Sequence, residues 1–149
     1  MSTRVVGDAS ALVALLLDGG PDGRWVTQAL AGSDLLVAPS LVAFESANII
    51  RRHDLAGLVS AYQSAQAHAD LLDLAIEYWP YEILASRTWE LRRNLSSYDA
   101  SYVALAELTG ATHVTLDRRI RRSSARAAQL SMIPMSTTSV PVACSGAVI

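Results

Sequence analysis

The sequence predicts an α/β fold, with helices on both faces of a mostly parallel sheet, on three observations. Short apolar and β-branched runs alternate along the chain with longer helix-like runs, and strands separated by helices build parallel sheets covered on both sides. The 149 residues are enough for one domain with a sizeable core, and no internal repeat or linker divides them. Apolar residues make up 51% and charged residues 17%, a balance that favours a packed chain over disorder. The expected architecture is a three-layer α/β/α sandwich.

Taken in order, Val5 to Gly7 is the first buried strand, ending at Asp8. The Ala/Leu run from Ser10 to Leu17 is a helix stopped by Asp18-Gly19-Gly20. Pro21 suits the first turn of a second helix, Asp22 to Leu30, closed by Gly32. Leu35 to Ala38 is the second strand, and Pro39-Ser40 begins a helix that runs to Ile50 before Arg51-Arg52. Another helix is expected from about Leu55 to His68, and a third strand from Leu71 to Ile76. Pro80 restarts a helix that ends near Arg92-Arg93. Tyr98 to Thr109 is a helix, with Ser97 as N-cap and Gly110 as C-cap. Thr112 to Leu116 forms a fourth strand ending at Asp117, and an arginine-rich turn and a short strand at 131–133 follow. The uncharged stretch 134–149 is left as an edge strand, a dimer arm or a flexible tail.

Several function classes are excluded by composition. All twelve basic residues are Arg, so no mechanism that needs a lysine is available, including the phosphate-binding Lys of a P-loop. The single cysteine, Cys144, cannot form an internal disulfide and suits a reducing compartment. The Ala9 to Leu17 run is far below the ~18 residues a membrane span needs, and no signal-peptide cleavage site follows it. A cytoplasmic protein without a membrane segment is the expectation.

Four acids carry the chemical signal. Asp8 lies at the carboxyl end of a strand, where open α/β sheets place their ligand crevice, although Asp is also a preferred helix N-cap. Glu45 falls on the stripe of Leu41, Val42, Asn48 and Ile49 that should face the core. It therefore either takes a buried partner or a metal, or sits at the margin of the stripe and pairs with Arg51 or Arg52. Asp99 stands in the first turn of its helix and Asp117 directly after a strand, positions that capping and the helix dipole also explain. Together they are more telling, because Asp8 and Asp117 would open on one edge of a parallel sheet. Four carboxylates drawn together repel unless a cation sits among them. Oxygen ligands without a His or Cys cluster select Mg²⁺ or Mn²⁺ over zinc. His53, His68 and His113 show no ligand spacing and are expected at the surface or in packing.

Val5 to Leu12, Pro39-Ser40-Leu41 through Glu45 and Asn48, Tyr98 to Ala106, and Thr115-Leu116-Asp117 resemble the motifs of PIN-domain ribonucleases. More closely, they resemble the VapC toxins of bacterial toxin-antitoxin modules. The likeness covers about residues 4 to 133, which gives a PIN-like nuclease domain over 1–133 and a tail over 134–149. It departs from the family pattern at Gly7, where a larger apolar residue is usual, and in the uncharged tail.

The resemblance implies an Mg²⁺-dependent endoribonuclease, with Mn²⁺ able to substitute, silenced by a cognate antitoxin protein and usually a homodimer. On the matching positions it implies Asp8 and Asp99 as principal metal ligands, with Glu45 and Asp117 completing the catalytic acids. Asn48 and Thr115 are candidate hydrogen-bond partners behind the ligands. The alternative is a catalytically inactive PIN-like module that only binds RNA or protein. Phosphoacceptor receivers also cluster acids at strand ends, but resemblance to them would require a lysine.

Cleavage of a polyanion also needs basic surroundings. Arg51-Arg52, Arg92-Arg93 and the run Arg118, Arg119, Arg121, Arg122 and Arg126 border the motif acids and are candidates for RNA phosphates. Trp79, Tyr81, Trp89, Tyr98 and Tyr102 are candidates for base stacking, against the competing expectation that helical spacing places most of them in the core.

Overall fold

The computed structural model describes residues 2–120. Four strands, β1 (Arg4–Gly7), β2 (Leu35–Pro39), β3 (Ile76–Trp79) and β4 (Thr112–Val114), form one sheet in the order β3-β2-β1-β4. All three pairings are parallel, as expected. The helices α1 (Ala9–Leu17), α2 (Pro21–Ala31), α3 (Val42–Leu55), α4 (Ala61–Asp73), α5 (Tyr81–Glu90) and α6 (Ser97–Thr109) connect the strands two by two. Together they complete a three-layer α/β/α sandwich.

Adjacent residues of β1 serve opposite faces, as the two-residue period of a strand requires. Val5 packs with Val114, Ala11, Ala14 and Val26, whereas Val6 packs with Val37, Tyr102 and Leu105. Both valines are buried, so β1 is apolar on both sides, the mark of a strand in the middle of a covered parallel sheet. The chain runs outward from β1 through β2 to β3 and then returns to lay β4 on the other side of β1. The order therefore reverses at β1 and β4, and open α/β sheets bind their ligands at such a point, beyond the carboxyl ends of the strands.

Several element boundaries differ from expectation. Helix α3 continues to Leu55, because nothing breaks it until Gly57, which adopts φ +69°. Helix α4 begins at Ala61, where Ser60 and Gln63 form a reciprocal capping box, and runs to Asp73. Leu71 therefore belongs to the buried helical stripe Ser64, Ala67, Leu71, and the third strand is Ile76–Trp79, not Leu71 to Ile76. The cap of α6 is Ser96, which accepts from the Asp99 N–H at 3.1 Å, and not Ser97. Gly110 closes α6 at φ +66°, as expected. The strand expected at 131–133, Arg121, Arg122 and Arg126, the domain limit at 133, the tail 134–149 and Cys144 lie outside the described residues.

Candidate active site

The four acids arrive at the carboxyl edge of the sheet from four different elements. Asp8 follows β1 directly, and its backbone N–H continues the ladder to the Val114 carbonyl at 3.4 Å. Its carboxylate caps α1, with Oδ1 accepting from the Ala11 N–H at 3.0 Å and from the Ser10 hydroxyl at 2.6 Å. Asp8 is only 3% exposed, and these donors satisfy Oδ1 of its buried side chain. Ser10 Oγ also accepts from the Leu116 N–H at 3.0 Å, which ties the start of α1 to the loop after β4.

That loop presents Asp117. Thr115 Oγ1 accepts from the Asp117 N–H at 3.0 Å, so Thr115 acts on the backbone of this acid and not on its carboxylate. Arg119 closes on the Asp117 carboxylate, donating from its backbone N–H at 2.8 Å, from Nε at 3.2 Å and from Nη2 at 2.8 Å. Burial pushes the Asp117 carboxyl up, but the hydrogen bonds and charge of Arg119 outweigh it and hold the acid below the ordinary range.

Glu45 and Asp99 behave in the opposite way. Glu45 sits in the first turn of α3, where its Oε1 accepts from the Tyr102 hydroxyl at 2.5 Å. Burial raises its pKa, and the charges of Asp99 and Asp8 add to the rise against the Tyr102 hydrogen bond. Asp99 is raised first by burial and then by Asp117 and Asp8, with Ser96 and Arg119 opposing. Glu45 and Asp99 thus each feel two of the other acids. Glu45 does not pair with Arg51 or Arg52, which are exposed farther along α3; its partner is a hydroxyl from α6. Asn48 is exposed and lies outside this network.

An all-carboxylate donor set suits a hard divalent cation. Among the described residues, however, no three His, Cys, Asp or Glu side chains are gathered closely enough to hold an ion. Asp8 is engaged by Ser10 and Ala11, Glu45 by Tyr102 and Asp117 by Arg119. The chemistry of the donors fits a metal, whereas the carboxylates of Asp8, Glu45 and Asp117 are each drawn to a protein partner.

Two residues stand in this site in contacts that the sequence reading did not assign to them. His113, expected at the surface or in packing, is fully buried on β4 with Nε2 3.6 Å from Asp8 Oδ2. Its ring stacks on Tyr102, with centroids 5.9 Å apart and an interplanar angle of 14°. Tyr102 is a core residue, as helical spacing suggests, and its buried hydroxyl had to find a partner. Of the aromatics considered for stacking, Trp89 and Tyr98 are well exposed, and Arg92 lies 4.9 Å over the Trp89 ring. Two shallow grooves lie elsewhere, one between α5 and α6 at Ile83, Leu84 and Leu108 and one beside Thr3 and Ala29.

The PIN domain family model matches residues 5–125. Ribonuclease VapC9 of Mycobacterium tuberculosis is 35% identical over 130 residues, spanning 87% of this chain and 98% of that protein. Ribonuclease VapC12 of the same organism is 31% identical over 129 residues, with the same coverage of 87% and 98%. Among solved structures, M. tuberculosis VapC20, a Sarcin-Ricin loop cleaving toxin, is similar with a TM-score of 0.60 at 17% identity, over 80% of this chain and 94% of that one. VapBC2 from Rickettsia felis, bound to a DNA fragment from its promoter, is similar with a TM-score of 0.58 at 15% identity, over 80% and 92%. The structural likeness concerns the fold; the family match and the sequence relatives go further, and the chain belongs to the PIN-domain family, in its VapC branch.

Proposed function

We propose that this chain is a metal-dependent endoribonuclease, the toxin of a toxin-antitoxin module, working from Asp8, Glu45, Asp99 and Asp117. The observation that supports it is that four acids from four elements come to one edge of the sheet, where Glu45 and Asp99 are raised by burial and by their acidic neighbours. A site that concentrates negative charge against its own stability calls for a cation. The relatives named as ribonucleases support RNA as substrate.

Asp8 and Asp99 would hold the ion, Mg²⁺ with Mn²⁺ able to substitute. Such an ion, when bound, lowers the pKa of a water and stabilises charge developing on the scissile phosphate. Glu45, kept half-buried by Tyr102, orients the attacking water and takes its proton. Asp117 stays ionised beside Arg119 and completes the acidic wall. The exposed Arg118, Arg92 and Arg93, which flank Asp117 and Asp99 in sequence, supply phosphate contacts, while Trp89 and Tyr98 suit base stacking. A cognate antitoxin, a homodimer and a cytoplasmic location belong to the same proposal. Among the described residues no helix is long and apolar enough to cross a membrane.

One observation favours a second reading, a PIN-like module that binds RNA or protein without cleaving: the described carboxylates form no ready metal cluster. Purified protein incubated with total RNA, in Mg²⁺ or in chelator, beside Asp8→Asn, separates the two. The nuclease cleaves in Mg²⁺ and is silent in chelator and as Asp8→Asn. Cleavage that survives either change, or is absent from the native chain, ends the metal-nuclease proposal.

A further inference from the structure

Helix α6 is buried continuously from Ala100 to Ala106, and Tyr102 is the largest side chain of that stretch. A tyrosine ring buried to this degree brings a hydroxyl that must be satisfied, and simple packing would be served as well by Phe. Here the hydroxyl crosses from α6 to α3 and donates to Glu45 Oε1 at 2.5 Å, a short bond of the kind made to an ionised carboxylate. The two partners are 57 residues apart in sequence, so no local turn enforces their meeting. On its other side the Tyr102 ring is backed by His113, stacked at 14°. Neither ring nitrogen of His113 makes a hydrogen bond among the described residues, although both are buried. A histidine so placed is costly as a polar group, and what it does make is the stack on Tyr102 and the approach to Asp8. Glu45 and Asp8 are thereby linked through the core by two rings.

We propose that Tyr102 is a positioning residue for Glu45, held in register by the His113 ring behind it. A free glutamate side chain on the first turn of a helix samples several rotamers, and a general base must stand within hydrogen-bond reach of its water. The Tyr102 hydroxyl selects one rotamer before substrate arrives. The proposal rests on the nuclease assignment of Glu45.

Tyr102→Phe keeps the ring, the stack on His113 and nearly all the volume, and removes only the hydroxyl. With Mg²⁺ and an RNA substrate, kcat should fall about 100-fold, the effect of misplacing a catalytic group by about 1 Å, while KM stays within about twofold. In a Glu45→Gln background the same change should cost less than about twofold, since Tyr102 acts through the carboxylate that is no longer there. A readout free of metal and substrate is urea unfolding of the chelator-treated single and double variants, which should give non-additive midpoints for this pair. Midpoints near that of the native chain also establish that Tyr102→Phe folds. If the native chain cleaves and Tyr102→Phe matches it, loses as much kcat in the Glu45→Gln background, or shows additive midpoints, the positioning role is overturned while the nuclease assignment stands. If the native chain cleaves no RNA, the nuclease assignment falls and this proposal falls with it.

Discussion

Replacing Asp99 by Asn should stabilise the metal-free chain at neutral pH. The Asp99 carboxyl is raised by burial, and beyond that by the carboxylates of Asp117 and Asp8, with Ser96 and Arg119 only partly offsetting. Asn preserves the shape, an acceptor oxygen and the backbone N–H that Ser96 caps at 3.1 Å, so that only the charge is lost. Water reaches this acid, so each repulsive neighbour counts on the scale of an exposed pair, roughly 0.2–1 kcal/mol. Losing a charge in the first turn of α6 costs roughly 0.3–1 kcal/mol of helix-dipole stabilisation. Two repulsions and a desolvation cost, set against the dipole and the Ser96 and Arg119 contributions, leave up to about 1 kcal/mol in favour of Asn, or up to about 2–4 °C in Tm for a chain of this size.

The pH dependence gives the test its sign. A carboxyl whose pKa is raised on folding contributes stability that is fully present below its unfolded value, close to the ordinary 3.8, and lost as pH rises through the folded value. The advantage of Asp99→Asn over the native chain is therefore absent in acid and complete at pH 7. Urea unfolding in chelator at several pH values between 3.5 and 7 measures it, bracketing the ordinary 3.8 from below. Native protein that is more stable than Asp99→Asn at pH 7, or a gap that does not close in acid, would refute this account of the site. Adding Mg²⁺ at about a hundredfold its Kd should stabilise the native chain by about 2.7 kcal/mol and the variant by much less.

Two further outcomes are expected. Arg118 is exposed beside Arg119, which Asp117 already holds, so in an uncleaving Asp8→Asn background Arg118→Ala should reduce the slope of log affinity for single-stranded RNA against log salt by about 0.7; filter binding that returns the parent slope removes Arg118 from the RNA contacts. At Gly7 an added Cβ would meet Leu36 Cδ1 at 3.0 Å and Leu12 Cδ2 at 3.3 Å, both ends of flexible side chains. Gly7→Ala should accordingly lie within about 1 kcal/mol of the native chain, because the lost chain entropy of glycine offsets the crowding; a loss above about 2 kcal/mol in urea would show that the two leucines cannot give way.

What could be read in advance, and what could not, follows the reach of each interaction along the chain. Strand β1, helix α1 and the Asp8 cap are written within one short stretch of consecutive residues, and all were legible. Strand β3 was misplaced because Leu71 to Ile76 is a short apolar run, which helix and strand share equally, and only the Ser60–Gln63 capping box upstream shows that Leu71 is helical. The Tyr102–Glu45 bond and the approach of His113 to Asp8 join residues 57 and 105 positions apart, and no local pattern announces either. Asp8 shows how a local reading and the fold bear on one residue. As a sequence, capping and site formation compete as explanations of one aspartate. In the fold they use different oxygens, since Oδ1 takes the Ala11 and Ser10 donors while Oδ2 lies beside His113. The cap fixes the rotamer of Asp8, so the feature that made it look merely structural is also what gives a proposed metal ligand its direction.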